Sequence, residues 1–179
     1  GIKTRLSTYP QGQFVIVKDQ KIVGCVYTQR IMNKDALLSN CFNNIHKLHK
    51  DDGKYLQLLS LNIFPKYQNT GLGELARNFI LNYAKLLVNV ESVIGVSRCS
   101  NFSGESDLVA YEKYVYKQDK NNLPVDPTLK FHVSGGAKLL EIIYNFRKED
   151  LINLGHGILI EYDAETNISL NQKVDFDLS

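Results

Sequence analysis

Residues 58–73 read Leu58-Leu59-Ser60-Leu61-Asn62-Ile63-Phe64-Pro65-Lys66-Tyr67-Gln68-Asn69-Thr70-Gly71-Leu72-Gly73. The apolar run predicts a strand from Tyr55 to Ile63, stopped by Pro65, which has no N–H to give a ladder. From Leu72 to Val90, Leu75, Phe79, Ile80, Tyr83, Leu86 and Leu87 recur at intervals of three and four, the spacing of an amphipathic helix. The stretch is therefore strand, loop, helix. A helix start carries unpaired N–H groups and the positive end of the dipole, and Gly71 and Gly73 let the backbone approach a ligand closely. An anion suits such a place. A Gly-x-Gly before a helix can equally be a tight turn. The longer string Pro65-Lys66-Tyr67-Gln68-x-x-Gly71-x-Gly73 is more specific: it is not Gly-x-Gly-x-x-Gly, and no Lys-Ser/Thr follows as in a P-loop.

Outward from this unit, Phe14–Val17 and Ile22–Tyr27 read as an antiparallel hairpin. Asp35–His49 has roughly helical spacing, and Asp51-Asp52-Gly53 ends it as a turn. Beyond the central helix we expect a strand at Ser92–Cys99, a tyrosine-rich helix at Asp107–Lys117 and a loop at Asn121–Pro127. Strands are expected again at Leu129–Val133 and Gly157–Tyr162. This order predicts an α/β (α+β) domain around a mixed sheet over residues 1–163. Ala164–Ser179 is polar and aperiodic, and reads as a tail or linker.

The chain has 179 residues, 44% hydrophobic and 22% charged, the profile of one globular domain rather than a disordered segment. A net charge of +2, with no Lys/Arg cluster interleaved with aromatics, argues against nucleic acid as a ligand. Cys25, Cys41 and Cys99 are odd in number and far apart, which points to a reducing, cytoplasmic setting without disulfides or a zinc site. No stretch approaches the ~20 apolar residues of a membrane span, and Gly1–Arg5 lacks the apolar segment of a signal peptide. The start at Gly1 reads as that of a domain cut from a longer protein.

The string from Pro65 to Gly73 resembles the Gln/Arg-x-x-Gly-x-Gly/Ala signature of GNAT acyltransferases. Further segments resemble one subgroup, the GNAT-like loading domains of modular polyketide synthases. They are Tyr9–Phe14, Gly24–Ile31, Gly95–Cys99, Phe131–Val133, Tyr144–Asp150 and Asn153–Asp163. The resemblance implies a mostly antiparallel sheet flanked by helices, with a splayed strand pair that admits a pantetheine arm. Leu61, Ile63, Gln68, Asn69, Thr70, Gly71, Leu72 and Gly73 would hold coenzyme A or a phosphopantetheine thioester. The expected reaction is loss of CO₂ from a malonyl or methylmalonyl thioester, with transfer to a carrier thiol as a further option. The expected partners are an acyl carrier protein and neighbouring synthase domains, and no metal is expected. The subgroup's N-terminal segment has no match before Gly1.

The resemblance also implies catalytic roles for Ser97 and His132, a strand Ser and a strand His, with Arg147 fifteen residues after the His. The family has Thr where this chain has Ser97. Decarboxylation sends electrons into the thioester carbonyl, so fixed donors at that oxygen accelerate it. A strong cation on the departing carboxylate would instead stabilise the ground state. Ser97 and His132 suit the donor role, and His132 could help deliver a proton to the α-carbon. Arg147 would orient His132, anchor a loop or meet the pantetheine. Each residue also has an ordinary reading: a packed His, a strand Ser bonded to backbone, a surface Arg. Tyr111, Tyr114 and Tyr116 are either a general acid for amine acetylation or packing. His46, His49 and Cys41 lack a convincing further metal ligand, and His156 reads as part of a turn. An acetyltransferase and a non-catalytic binding module are the rival functions.

Overall fold

Four helices and six strands follow one another in the computed structural model, which describes residues 2–103 and 107–163. They are α1 (Ile2–Thr8), β1 (Gln13–Lys18), β2 (Lys21–Ile31), β3 (Tyr55–Ile63), α2 (Leu72–Leu86) and β4 (Ser92–Ser97). Then come α3 (Leu108–Val115), α4 (Pro127–Ser134), β5 (Ala137–Ile143) and β6 (Gly157–Asp163). The expected tail from Ala164 lies outside the described residues.

β1 and β2 form the expected hairpin. Its two turn residues, Asp19 and Gln20, both have positive φ (50° and 60°), as a type I′ connection requires. The sheet order is β1-β2-β3-β4-β6-β5, and only the β3–β4 pair is parallel. Both faces of its centre are covered. Val93, Ile158 and Ile160 face one core with Ala76, Ile80, Leu81 and Ala84 of α2. Their neighbours Ile94 and Leu159 face a second, with Ile31, Leu37, Ile45, Ile143 and Phe146. That alternation is the two-residue period of a strand. Phe14 on β1 meets Phe79 and Tyr83 of α2 edge-on at 4.9 and 5.1 Å, contacts worth ~0.5–1.5 kcal/mol each.

Four expectations need correction. Leu129–Val133 is not a strand but lies within α4, so His132 is a helical residue. Leu129, Phe131 and Val133 alternate like a strand, but Asp126 accepts hydrogen bonds from the N–H groups of Thr128 and Leu129 (2.9 and 3.2 Å). Pro127 follows at the first helical position, where its missing N–H costs nothing. Asp35–His49 is not one helix but two 3-10 segments, Lys34–Leu37 and Phe42–Leu48. Between them Asn40 turns its amide back onto the Ala36 carbonyl (2.8 Å), a side-chain bond that competes with the helix. The central helix stops at Leu86, four residues short of Val90. Lastly, β5 and α1 add elements that the periodicity did not indicate.

Candidate active site

β3 and β4 pair from Tyr55↔Ser92 to Leu58↔Gly95 and then part. β3 runs on to Ile63 and β4 to Ser97, so their C-terminal ends are splayed. A cavity of about 290 Å³ opens there. Leu58–Leu61 line it from β3, Gly95–Arg98 from β4 and its end, and Thr128, Phe131 and His132 from α4. Phe42, Phe146, Arg147, Asp150 and His156 also line it.

At the far end of β3 the chain enters the loop to α2. Gln68, Asn69, Thr70 and Gly71 are exposed. The Gln68 amide donates to the Ile63 carbonyl (3.0 Å) and the Thr70 hydroxyl to the Tyr67 carbonyl (2.7 Å), so these side chains shape the loop itself. Gly71 is the N-cap of α2 at φ 83°, a left-handed conformation costly for other residues, and no side chain caps the helix. Nothing lies within 4 Å of where its Cβ would be. Among the described residues no side chain therefore occupies the first N–H groups of α2. A Cβ on Gly73 would sit 3.4 Å from the ring of Phe131, which puts the helix start beside a wall of the cavity. Of the two β3 residues singled out, Leu61 lines the cavity, whereas Ile63 pairs with Gly24 and holds Gln68.

The structure brings Ser97 and His132 to the same cavity, from the end of β4 and from α4. Ser97 is buried, and among the described residues its hydroxyl has only a 3.5 Å contact to the Arg98 carbonyl, too long to hold it. His132 is 9% exposed. Its Nδ1 lies 2.6 Å from the Tyr162 hydroxyl of β6. Burial, and then the nearby Arg77 charge, push the imidazole down to about 4, so the ring is neutral at pH 7. Arg77 is itself buried, donates to the Phe131 carbonyl at 2.5 Å and lies 4.7 Å over the Phe131 ring.

Two buried polar residues fix the strand end against its surroundings. Asp126 caps α4 and also accepts from the N–H groups of Ser100 and Asn101 (2.9 and 3.0 Å) and from Tyr114 (3.3 Å). Asn153 brackets Cys99, accepting from its N–H (2.8 Å) and donating to its carbonyl (3.1 Å). Burial, then Asp126, push the Cys99 thiol up to about 12, so it is an inert packing residue.

Arg147 is exposed and lies 4.3 Å over the Phe42 ring at the cavity edge. Arg98, also exposed, is paired with the buried Asp150 at 3.2 Å. Asp150 is the one carboxylate among the described lining residues, and Asn153 binds both its oxygens at 3.2 Å. Tyr111 and Tyr114 are held by Asn153 and Asp126, their hydroxyls raised chiefly by burial, and no tyrosine is among the described lining residues. They are packing. His46, His49 and Cys41 do not converge, and no metal-binding group of three His, Cys, Asp or Glu occurs among the described residues.

Sequence reasoning missed Phe131, Arg77, Tyr162, Arg98 and Asp150 as parts of this region. It also took His156 only for a turn residue. That residue does close a turn, its Nδ1 accepting the Asn145 N–H (3.1 Å), but it lines the cavity too. No sequence signal pointed to Arg77, which only packing brings to His132, and Phe131, although next to His132, would lie on the opposite face of the strand expected there.

A parallel pair that splays within a mostly antiparallel sheet, its two strands joined through a glycine-capped helix, is the GNAT fold. No family model matches the chain. The loading GNATL domain of CurA from Lyngbya majuscula superposes with a TM-score of 0.85 and 34% identity, over 93% of this chain and 83% of that one. A GphF GNAT-like decarboxylase solved in complex with isobutyryl-CoA gives 0.82 and 34%, over 92% and 84%. In sequence, an uncharacterized N-acetyltransferase of Bacillus subtilis, YkwB, is 23% identical over 171 residues, 90% of this chain and 72% of that protein. The chain belongs to the GNAT-like loading domains of the GNAT superfamily.

Proposed function

We propose that this domain decarboxylates a malonyl or methylmalonyl thioester, carried on coenzyme A or on an acyl carrier protein, to provide the starter unit of a polyketide synthase. The observation that carries the reading is the meeting of a buried hydroxyl, Ser97, and a buried neutral imidazole, His132, in the cavity between splayed strands. The pyrophosphate or phosphate would lie on the N–H groups of Gly71–Gly73, and the pantetheine arm between β3 and β4 beside Leu61. In the reaction the bond between the α-carbon and the carboxylate breaks. Its electron pair enters the thioester carbonyl, CO₂ leaves, and a proton from solvent completes the α-carbon. Ser97 and His132 would donate to the oxygen where charge develops. Arg98 is neutralised by Asp150 and Arg147 stacks on Phe42, so neither need clamp the carboxylate that must leave. Arg147 acts here as a loop anchor.

The likeness to an N-acetyltransferase supports a second reading, acetyl transfer from acetyl-CoA. An amine nucleophile needs a base, and the cavity's Asp150 is already held by Arg98 and Asn153. The two readings separate by mass spectrometry of malonyl- and methylmalonyl-loaded carrier protein incubated with the domain. Loss of CO₂ without any added amine supports decarboxylation. Intact malonyl substrate, with acetyl-CoA consumed only when an amine is present, supports acetyl transfer instead.

A further inference from the structure

Tyr162 takes no part in the scheme above, yet it is 1% exposed and its hydroxyl lies 2.6 Å from His132 Nδ1, its one partner among the described residues. Two protonation patterns fit that contact. If Nδ1–H donates to the phenol oxygen, the phenolic proton is left in the core without an acceptor. If the phenol donates to the Nδ1 lone pair, neither group of this contact is left with an orphaned donor, and the one N–H remaining on the ring is that of Nε2. An orphaned buried donor costs the full desolvation of that group, whereas an oxygen with a spare lone pair is better tolerated. We infer that Tyr162 fixes His132 as its Nε2–H tautomer, so that a neutral N–H rather than a lone pair faces the cavity.

Arg77 acts in the same sense. Its charge adds to burial in opposing protonation of His132, while on the Tyr162 hydroxyl it only partly offsets burial, which keeps the phenol protonated and able to donate. It is tied to the carbonyl of Phe131, the residue before His132, and so stays in place. With Nδ1 occupied from β6, Nε2 is left for a ligand of the cavity that His132 lines. A neutral N–H there can bond an enolate oxygen without placing a full cation near the departing carboxylate. The opposite tautomer would turn a lone pair on that oxygen and repel it. Tyr162 is thus a positioning residue, acting through His132, and its catalytic consequence rests on the decarboxylase reading.

Nitrogen-15 NMR of the histidine-labelled domain tests this without substrate. The chain has four histidines, and the His132 signals are assigned by their loss in His132→Gln. The expected result is a neutral ring at pH 7 with the proton on Nε2. In Tyr162→Phe the Nδ1–H form should become populated, and CO₂ release should slow by roughly 10- to 100-fold, the upper end matching outright loss of one oxyanion donor. Affinity for coenzyme A should not change. A proton on Nδ1 in the unaltered domain, or a tautomer indifferent to Tyr162→Phe, overturns the inference even where His132→Ala abolishes CO₂ release. An Nε2–H signal as expected, with CO₂ release untouched in His132→Ala, supports the tautomer and overturns the decarboxylase reading beneath its catalytic part.

Discussion

His132 is worth following first, because its burial and its chemistry constrain each other. A charged imidazole would be poorly solvated here and would also face Arg77, so the folded state holds the ring neutral. Unfolded, it titrates near 6.5; folded, near 4. Between those values the unfolded chain binds more protons, so the stability His132 contributes is full above 6.5 and is lost as the pH falls towards 4. His132→Gln should therefore flatten the stability profile between pH 6.5 and 4 in urea titrations. Parallel profiles for the two proteins would contradict a buried neutral ring. In turnover, His132→Ala should slow CO₂ release by at least ~100-fold. Ser97→Thr should stay active because it keeps the hydroxyl, and Ser97→Ala should lose part of the rate with coenzyme A affinity unchanged. A Ser97→Ala variant at full rate would remove Ser97 from the site.

Among the elements, α2 and α4 decide where the chemistry is held. α2 offers an uncapped start at Gly71. Gly71→Asp adds a negative side chain at that point and forces a strained φ, so calorimetric affinity for coenzyme A should fall by at least ~10-fold. Unchanged affinity in a folded variant would move the phosphate elsewhere. α4 depends on Asp126, which caps it and also ties down Ser100 and Asn101 after β4. Asp126→Ala removes a cap and orphans buried donors, and should cost at least ~2 kcal/mol in chemical denaturation. A loss below ~0.5 kcal/mol would mean that the clamp supports little. The same two helices show how far the sequence could be read. β3 was expected at the observed bounds, since a long apolar run closed by Pro65 has few other outcomes. α4 was misread because Leu129, Phe131 and Val133 alternate, although Asp126-Pro127 carried the cap and first-turn signal of a helix. β5 lacks an alternating pattern because it is an edge strand with a bulge between Leu139 and Glu141. Ser97 and His132 were singled out by resemblance. Tyr162 and Arg77 were not, because only packing across β6, α2 and α4 brings them to His132.

For the molecule as a whole, a sheet whose centre is covered on both faces leaves the splayed end of β3 and β4 as the place where a cavity opens. The chain carries a net charge of +2, and carrier proteins are commonly acidic. Docking of a loaded carrier should then weaken as salt screens charges over ~10 Å at 0.1 M. Turnover of carrier-bound substrate should fall with salt more steeply than turnover of a short pantetheine thioester. Equal responses would remove charge from the docking. The central claim concerns the reaction itself. Malonyl-pantetheine thioester incubated with the domain in D₂O, with no nucleophile added, should become acetyl thioester whose new methyl group carries deuterium, and His132→Ala should suppress this. Recovery of the malonyl thioester untouched under the same conditions would contradict the account.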